Sequence, residues 1–183
     1  MHYIAVDFEW NQPLEGAQRI KIGEDEFLCG EIIQIGAVKA DEKFRKISEF
    51  NAFVKPVKYV KINRRVESIT GITSEMTQNC ETFPEVCEKF RRWCGDDAMF
   101  ITWGFDDIRV LRQNCEMNSF DCSWFTKWIN LQVIYGMQNP SEPLQKSLSG
   151  AMEHFGIKMS EKLPMHNALS DAYYTYIICT LLD

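Results

Sequence analysis

No Cys-x-x-Cys pair occurs among the seven cysteines, and the count is odd. Neither a disulfide framework nor a structural zinc site is therefore indicated. No apolar run is long enough to cross a bilayer. The opening Met-His-Tyr-Ile-Ala-Val-Asp meets a charge after an apolar stretch too short for the core of a secretion signal. A soluble, cytoplasmic protein with no membrane partner is expected. No internal repeat and no linker rich in Pro, Gly or Ser divides the chain, so residues 1–183 are expected to fold as a single domain. An excess of positive charge is also missing: 20 Lys and Arg stand against 26 Asp and Glu, for a net charge of −6. That argues against broad electrostatic coating of nucleic acid. It leaves open an enzyme that grips a short stretch of strand, because metal ions can supply positive charge where a phosphate sits.

What is present is enough apolar material for a core, 45% hydrophobic and 13% aromatic. Cys80, Cys87 and Cys94 recur every seven residues, near one stripe of a helix. At 1.5 Å rise per residue each step is about 10 Å, so they read as small core residues rather than a metal cluster. Residues 2–8 read as a buried strand running into acids, and 11–30 as a loop. Residues 31–38 and 47–54 are two further β-branched strands, in an antiparallel meander. The stretch 56–77 shows no clean period. Thr82-Phe83-Pro84-Glu85 has capping-box spacing with Pro near the start, which predicts a helix to about Cys94. A strand at 98–103, a helix at 106–114, a strand at 128–133, and helices at 147–155 and 167–182 complete the pattern. Strands followed by alternating helices and strands give an α/β architecture with a mixed sheet.

Asp7 and Glu9 lie at i and i+2 of the first strand, so they project from one face while Phe8 points to the other. Unit charges about 4 Å apart repel by about 4 kcal/mol at an effective dielectric of 20. A cation between the acids, or a proton on one of them, relieves that cost. All-oxygen ligands suit Mg²⁺ or Mn²⁺. The pair alone is weak evidence, since Glu24 and Glu26 have the same spacing in a polar loop. Asp106 and Asp107 follow the strand that ends at Thr102-Trp103-Gly104, the strand end where sites in open α/β sheets gather. Either could reach the pair, or lie in the first turn of a helix and meet its dipole. In His166-Asn167-Ala168-Leu169-Ser170-Asp171, Asn167 suits a helix N-cap. Asp171 then shares a largely apolar stripe with Ala168, Thr175, Ile178 and Leu182, where a carboxylate is costly unless paired or metal-bound.

Taken in order, Val6-Asp7-Phe8-Glu9, Thr102-Trp103-Gly104-Phe105-Asp106-Asp107 and His166-Asn167-Ala168-Leu169-Ser170-Asp171 resemble the motifs of the DEDDh exonucleases, within the ribonuclease-H-like superfamily. Glu67-Ser68-Ile69-Thr70-Gly71-Ile72-Thr73 is similar to the family's stretch after the third strand. Within the family, Gln113-Asn114-Cys115 and Trp128-Ile129-Asn130-Leu131 look nearest the branch of eukaryotic histone-mRNA and small-RNA trimming enzymes and bacterial sporulation-kinase-pathway inhibitors.

The resemblance implies a ribonuclease-H-like mixed five-stranded sheet flanked by helices. It also implies 3′→5′ hydrolysis of single-stranded nucleic acid, RNA favoured over DNA, from its 3′ end to nucleoside monophosphates. Two divalent cations, Mg²⁺ or Mn²⁺, would be held by Asp7, Glu9, Asp107 and Asp171, with alignment from Gly104 favouring Asp107 over Asp106. His166 would be the general base and Glu9 would share in catalysis; an imidazole is basic near neutral pH. Phe8, Trp10, Ile72 and Phe105 would meet the nucleotide. Trp10 departs from the family, which has small or hydroxylated residues there. The competing expectation is a catalytically silent regulator that binds RNA or a signalling protein. Lys55, Lys58, Lys61, Arg64 and Arg65, with Tyr59 among them, form an acid-free stretch. It reads as phosphate contacts or, slightly favoured, as a solvated basic loop.

Overall fold

A computed structural model describes residues 1–182. Three strands come first, β1 (His2–Asn11), β2 (Glu31–Ala40) and β3 (Lys46–Phe53). Two short helices follow, α1 (Arg64–Thr70) and α2 (Ser74–Thr77), and then α3 (Phe83–Cys94). β4 (Ala98–Thr102), α4 (Asp106–Met117) and β5 (Trp128–Asn130) alternate, before α5 (Leu131–Gln138), α6 (Leu148–His154) and α7 (Ala168–Cys179). The strands form one mixed sheet in the order β3-β2-β1-β4-β5. β1 runs antiparallel to β2, with Asp7 opposite Gly36, and parallel to β4, from His2 beside Ala98 to Ala5 beside Ile101. This is the five-stranded α/β sheet that the sequence predicts.

The alternation along β1 sorts its side chains between two cores. Ile4, Val6 and Phe8 join Val86, Phe90, Ile108 and Leu111 from α3 and α4. On the opposite face, Ile101 meets Leu131, Tyr135, Ala151, Met152, Tyr174 and Ile178 from α5, α6 and α7. A smaller cluster packs Ile33 on Ile62, Val66 and Ile72. The helix starts follow local chemistry. Glu85 Oε2 accepts from the Thr82 N–H at 2.8 Å, as the capping-box spacing predicts. Asn167 caps α7 by accepting from the Ser170 N–H.

Three expectations need correction. The strand predicted over 128–133 ends at Asn130, whose side chain accepts from the Val133 N–H and starts α5. The stretch without a period, 56–77, contains α1 and α2, capped by Asn63 and Thr73. Cys80 lies ahead of α3 rather than on its stripe, although Cys87 and Cys94 are core residues as expected. All seven cysteines are free thiols. Among the described residues no helix is long and apolar enough to cross a membrane.

Candidate active site

The site forms where β1 outruns its parallel partner. Pairing with β4 ends at Ala5, and further along β1 the Phe8 N–H donates instead to Asp107 Oδ1 at 3.1 Å. Asp107 reaches that point because β4 stops at Thr102 and Gly104, at φ +106°, turns the chain into α4. This geometry separates the two candidate aspartates. Asp107 is buried, 5% exposed, whereas Asp106 lies on the outside of α4 in an ion pair with Arg109 at 2.8 Å.

Asp171 arrives from the other direction, on the first turn of α7. That helix lies against β1 and β2, and its start is fixed by two residues of β2. Gln34 Oε1 accepts from the Ala168 N–H at 3.2 Å. Gly36 leaves room for the helix backbone: a Cβ there would lie 2.1 Å from Ala168 C and Leu169 N. Because Gly36 pairs with Asp7, this close approach brings Asp171 over the strand's acidic residues. Gly36 was missed in the sequence, although a glycine inside an apolar strand is a recognised mark of close backbone approach.

One carboxylate oxygen from each of Asp7, Glu9 and Asp171 lies within 4.8 Å of the others. Asp107 sits against the backbone between Asp7 and Glu9, outside that closest group but within electrostatic reach. Among the described residues, no lysine or arginine forms an ion pair with any of the four. Asp171 Oδ2 accepts from the His166 N–H at 3.1 Å, while its Oδ1 is buried without a hydrogen-bond partner. Burial pushes all four carboxyls up. Asp7 rises well above the usual range, with Asp107, Asp171 and Glu9 adding to the effect of burial. Glu9 rises to about 8 through burial and then the charges of Asp171 and Asp107. Asp107 rises to about 7, burial outweighing its bonds from the Phe8 and Asp107 N–H groups. Asp171 rises to about 6, burial opposed by the His166 N–H and ring. Crowded carboxylates with an orphaned oxygen and no cationic side chain are a donor set that fits hard divalent cations.

His166 is exposed and holds φ at +60°. A left-handed conformation at a non-glycine residue costs on the order of 1 kcal/mol, and here the bond to Asp171 helps to hold it. With Asp7, Asp171, Trp103, Ser147 and Met165, it lines a cleft of about 200 Å³. Trp103 is fixed there by donating from Nε1 to Lys146 O at 3.0 Å; no role had been read for it in the sequence.

The four residues expected against a nucleotide divide differently. Only Phe105 is exposed, at 58%, edge-on to Trp128. Phe8 is 1% exposed and packs edge-on to Phe90, so its ring cannot stack on a base. Trp10, two residues beyond Phe8 and so on the same side of the strand, packs on the same core and over Gly30. Ile72, 1% exposed, is buried against Ile33 and Val66. The side chains of Phe8 and Ile72 are taken up by packing, and Trp10 is half-buried.

Residues 29–179 match the RNase T family model, described as exonuclease. The chain belongs to the RNase T exonuclease family. The matched span includes Asp107, His166 and Asp171, while Asp7 and Glu9 precede it and join the site through β1. The probable 3′-5′ exonuclease KapD of Bacillus subtilis is 28% identical over 181 residues, covering 98% of this chain and 83% of that one. Among solved structures, the nuclease domain of 3′hExo, a DEDDh family member bound to rAMP, matches with a TM-score of 0.82 at 23% identity. That match covers 98% of this chain and 90% of the other. A 3′-exonuclease recognising the histone mRNA stem-loop matches at TM-score 0.82 and 22% identity, covering 98% and 80%. At such identities the structural likeness establishes the fold, which is that of the RNase T exonucleases. The enzyme class follows from the family: a nuclease, hence a hydrolase.

Proposed function

We propose that residues 1–183 form a single exonuclease domain that shortens single-stranded nucleic acid from its 3′ end, releasing nucleoside monophosphates, with RNA preferred over DNA. The preference rests on likeness to the rAMP-bound and histone-mRNA enzymes. Asp7, Glu9, Asp107 and Asp171 would hold two divalent cations, Mg²⁺ or Mn²⁺. Bound there, the cations supply charge that offsets the phosphate and favours ionisation of water. His166, at the mouth of the cleft, accepts the proton of the attacking water. The Asp171 carboxylate holds the His166 backbone in its left-handed turn, so that loop and ligand keep one geometry. Trp103 walls the cleft, and exposed Phe105 offers a ring to a base.

The observation that carries this reading is the group of carboxylates within 4.8 Å of one another with Asp171 Oδ1 unpartnered. A silent regulator is not favoured, because binding by contact gives no reason to bury acids that burial itself penalises. The test is a 5′-labelled single-stranded RNA with Mn²⁺ or Mg²⁺, beside matched DNA. A stepwise ladder abolished by EDTA is expected, stronger on RNA; internal fragments from a circular substrate, or no cleavage, would refute the reading. His166→Ala should lower kcat by about 10²–10⁴-fold and change the shape of the pH–rate profile. An unchanged profile removes His166 from the base role.

A further inference from the structure

Within residues 55–65 the fold gathers five cations without ion-pair partners; among the described residues Arg19, Lys21, Lys43, Arg112, Lys158 and Lys162 also form no ion pair but lie scattered along the chain. Lys55, Lys58, Lys61, Arg64 and Arg65 are all exposed, with no acid between them in sequence. Among the described residues none of the five takes part in an ion pair, whereas Arg45 pairs with Asp41, Arg91 and Arg92 with Glu88, and Lys127 with Asp97. In a chain of net charge −6, this is a concentrated strip of cations without ion-pair partners.

The strip is also held still. Glu31, 1% exposed, accepts from the N–H groups of Val57 at 2.6 Å, Lys58 at 2.9 Å and Tyr59 at 2.8 Å. Asn11, fully buried, donates to Tyr59 O at 2.6 Å and Lys61 O at 3.0 Å, and accepts from the Asn63 N–H at 2.8 Å. Buried polar groups need partners, which accounts for some of these bonds. Their result is a basic loop whose backbone is fixed from Val57 to Asn63, where a merely solvated loop would be free to move.

Its position completes the case. Asn11 follows Glu9 by two residues on β1, about 7 Å along the strand. Ile33 packs on Ile62 and Val66, in a cluster apart from that of its neighbour Ile32. The segment therefore covers the same face of the sheet as Asp7 and Glu9, at the Glu9 end, with α7 and His166 at the other. A polyanion ending at four carboxylates is repelled by them unless positive charge lies along its path.

We infer that the 55–65 segment is a track for the phosphate backbone of the single-stranded substrate, upstream of the end being cleaved. The inference rests on the exonuclease reading. It makes the grip sequence-independent and places it on fixed cations rather than on the net charge of the protein.

The test compares wild type with the triple variant Lys58→Gln, Lys61→Gln, Arg64→Gln, whose exposed positions leave the melting temperature unchanged. Binding of a labelled single-stranded RNA of about 20 nucleotides, in EDTA, is followed against salt. Each lost phosphate contact should shallow the log–log slope by about 0.7, so the triple variant should lose about 2. In the presence of Mg²⁺, its KM for the long strand should rise about tenfold while hydrolysis of a dinucleotide is unchanged. An unchanged slope, or no association of the wild type with the strand, overturns the track. Dinucleotide hydrolysis lost with the slope intact assigns the segment to the fold and overturns it too. A wild type that binds with a slope the variant reduces, yet cleaves nothing, keeps the track and sinks the nuclease reading instead.

Discussion

Phe8 and its neighbours Asp7 and Glu9 stand one residue apart on β1 in opposite environments. Phe8 enters an all-apolar core where Phe90 meets it edge-on at 6.5 Å, and Phe100 and Trp124 extend the aromatic packing. Asp7 and Glu9 face α7, where like charges gather and burial disfavours their ionised forms. The period of two in an extended chain allows one strand to serve both faces. One face gains free energy by excluding water; the other is destabilised until something positive arrives. Stability drawn from the Phe8 side is what permits the strain on the Asp7 side.

Substitutions that exchange the two faces' properties give the largest effects. Asp7→Asn should lower cleavage by on the order of 10³-fold or more, yet raise the melting temperature in EDTA near pH 8, because it removes a half-buried carboxyl whose ionisation desolvation and the neighbouring acids oppose. A variant that melts below wild type under those conditions would contradict the account of the acidic face. Phe8→Ala should do the reverse, costing about 3–5 kcal/mol in urea unfolding through the cavity it leaves. Its folded fraction should still bind divalent cations. Gly36→Ala joins the faces' separate fates at an intermediate scale. Its Cβ meets the backbone of Ala168 and Leu169, which cannot yield as a flexible side chain would. A loss of about 1–3 kcal/mol is expected, with cleavage falling further than stability because Asp171 moves with α7. Wild-type kcat in a destabilised Gly36→Ala protein would show that the helix seat does not set the site.

Much of this was legible in the sequence for identifiable reasons. The acids of β1 stood out because an apolar strand ran into charge at a spacing that fixes a shared face. Asp107 and Asp106 are equivalent in composition; the resemblance favoured Asp107, and the turn at Gly104 with the bond from the Phe8 N–H gives the physical reason that it points inward. The end of β5 was illegible because Trp128 to Val133 is apolar enough for either state; the Asn130 cap, a single side-chain bond, chooses the helix. α1 and α2 span seven and four residues, too few to display a helical period. The alternation that put Asp7 and Glu9 on one face already turned Phe8 away from any substrate. The resemblance overrode that, and the packing restores it.

The smallest expected effect concerns the coupling of protons and metal on the acidic face. Glu9 at about 8, Asp107 at about 7 and Asp171 at about 6 bind protons in the folded state at pH values where the unfolded chain has already released them. Stability without metal therefore declines as pH rises from about 4, the unfolded carboxylate range, through these values. The contribution is fully present below the unfolded range and lost near pH 8. A divalent cation requires the ionised carboxylates, so its apparent affinity climbs across the same window, each tenfold gain adding about 1.4 kcal/mol at saturating ion. For a chain of this size, 1 kcal/mol moves the melting temperature by about 2–4 °C. Thermal unfolding with millimolar MgCl₂ against EDTA should thus show a wider gap near pH 8 than near pH 6, by a few degrees. In Asp7→Asn the gap should shrink at both, since a ligand is missing. A gap that is equal at the two pH values would mean that protons and cation do not compete for these carboxylates, and the acidic face would then owe its strain to something other than a place kept for metal.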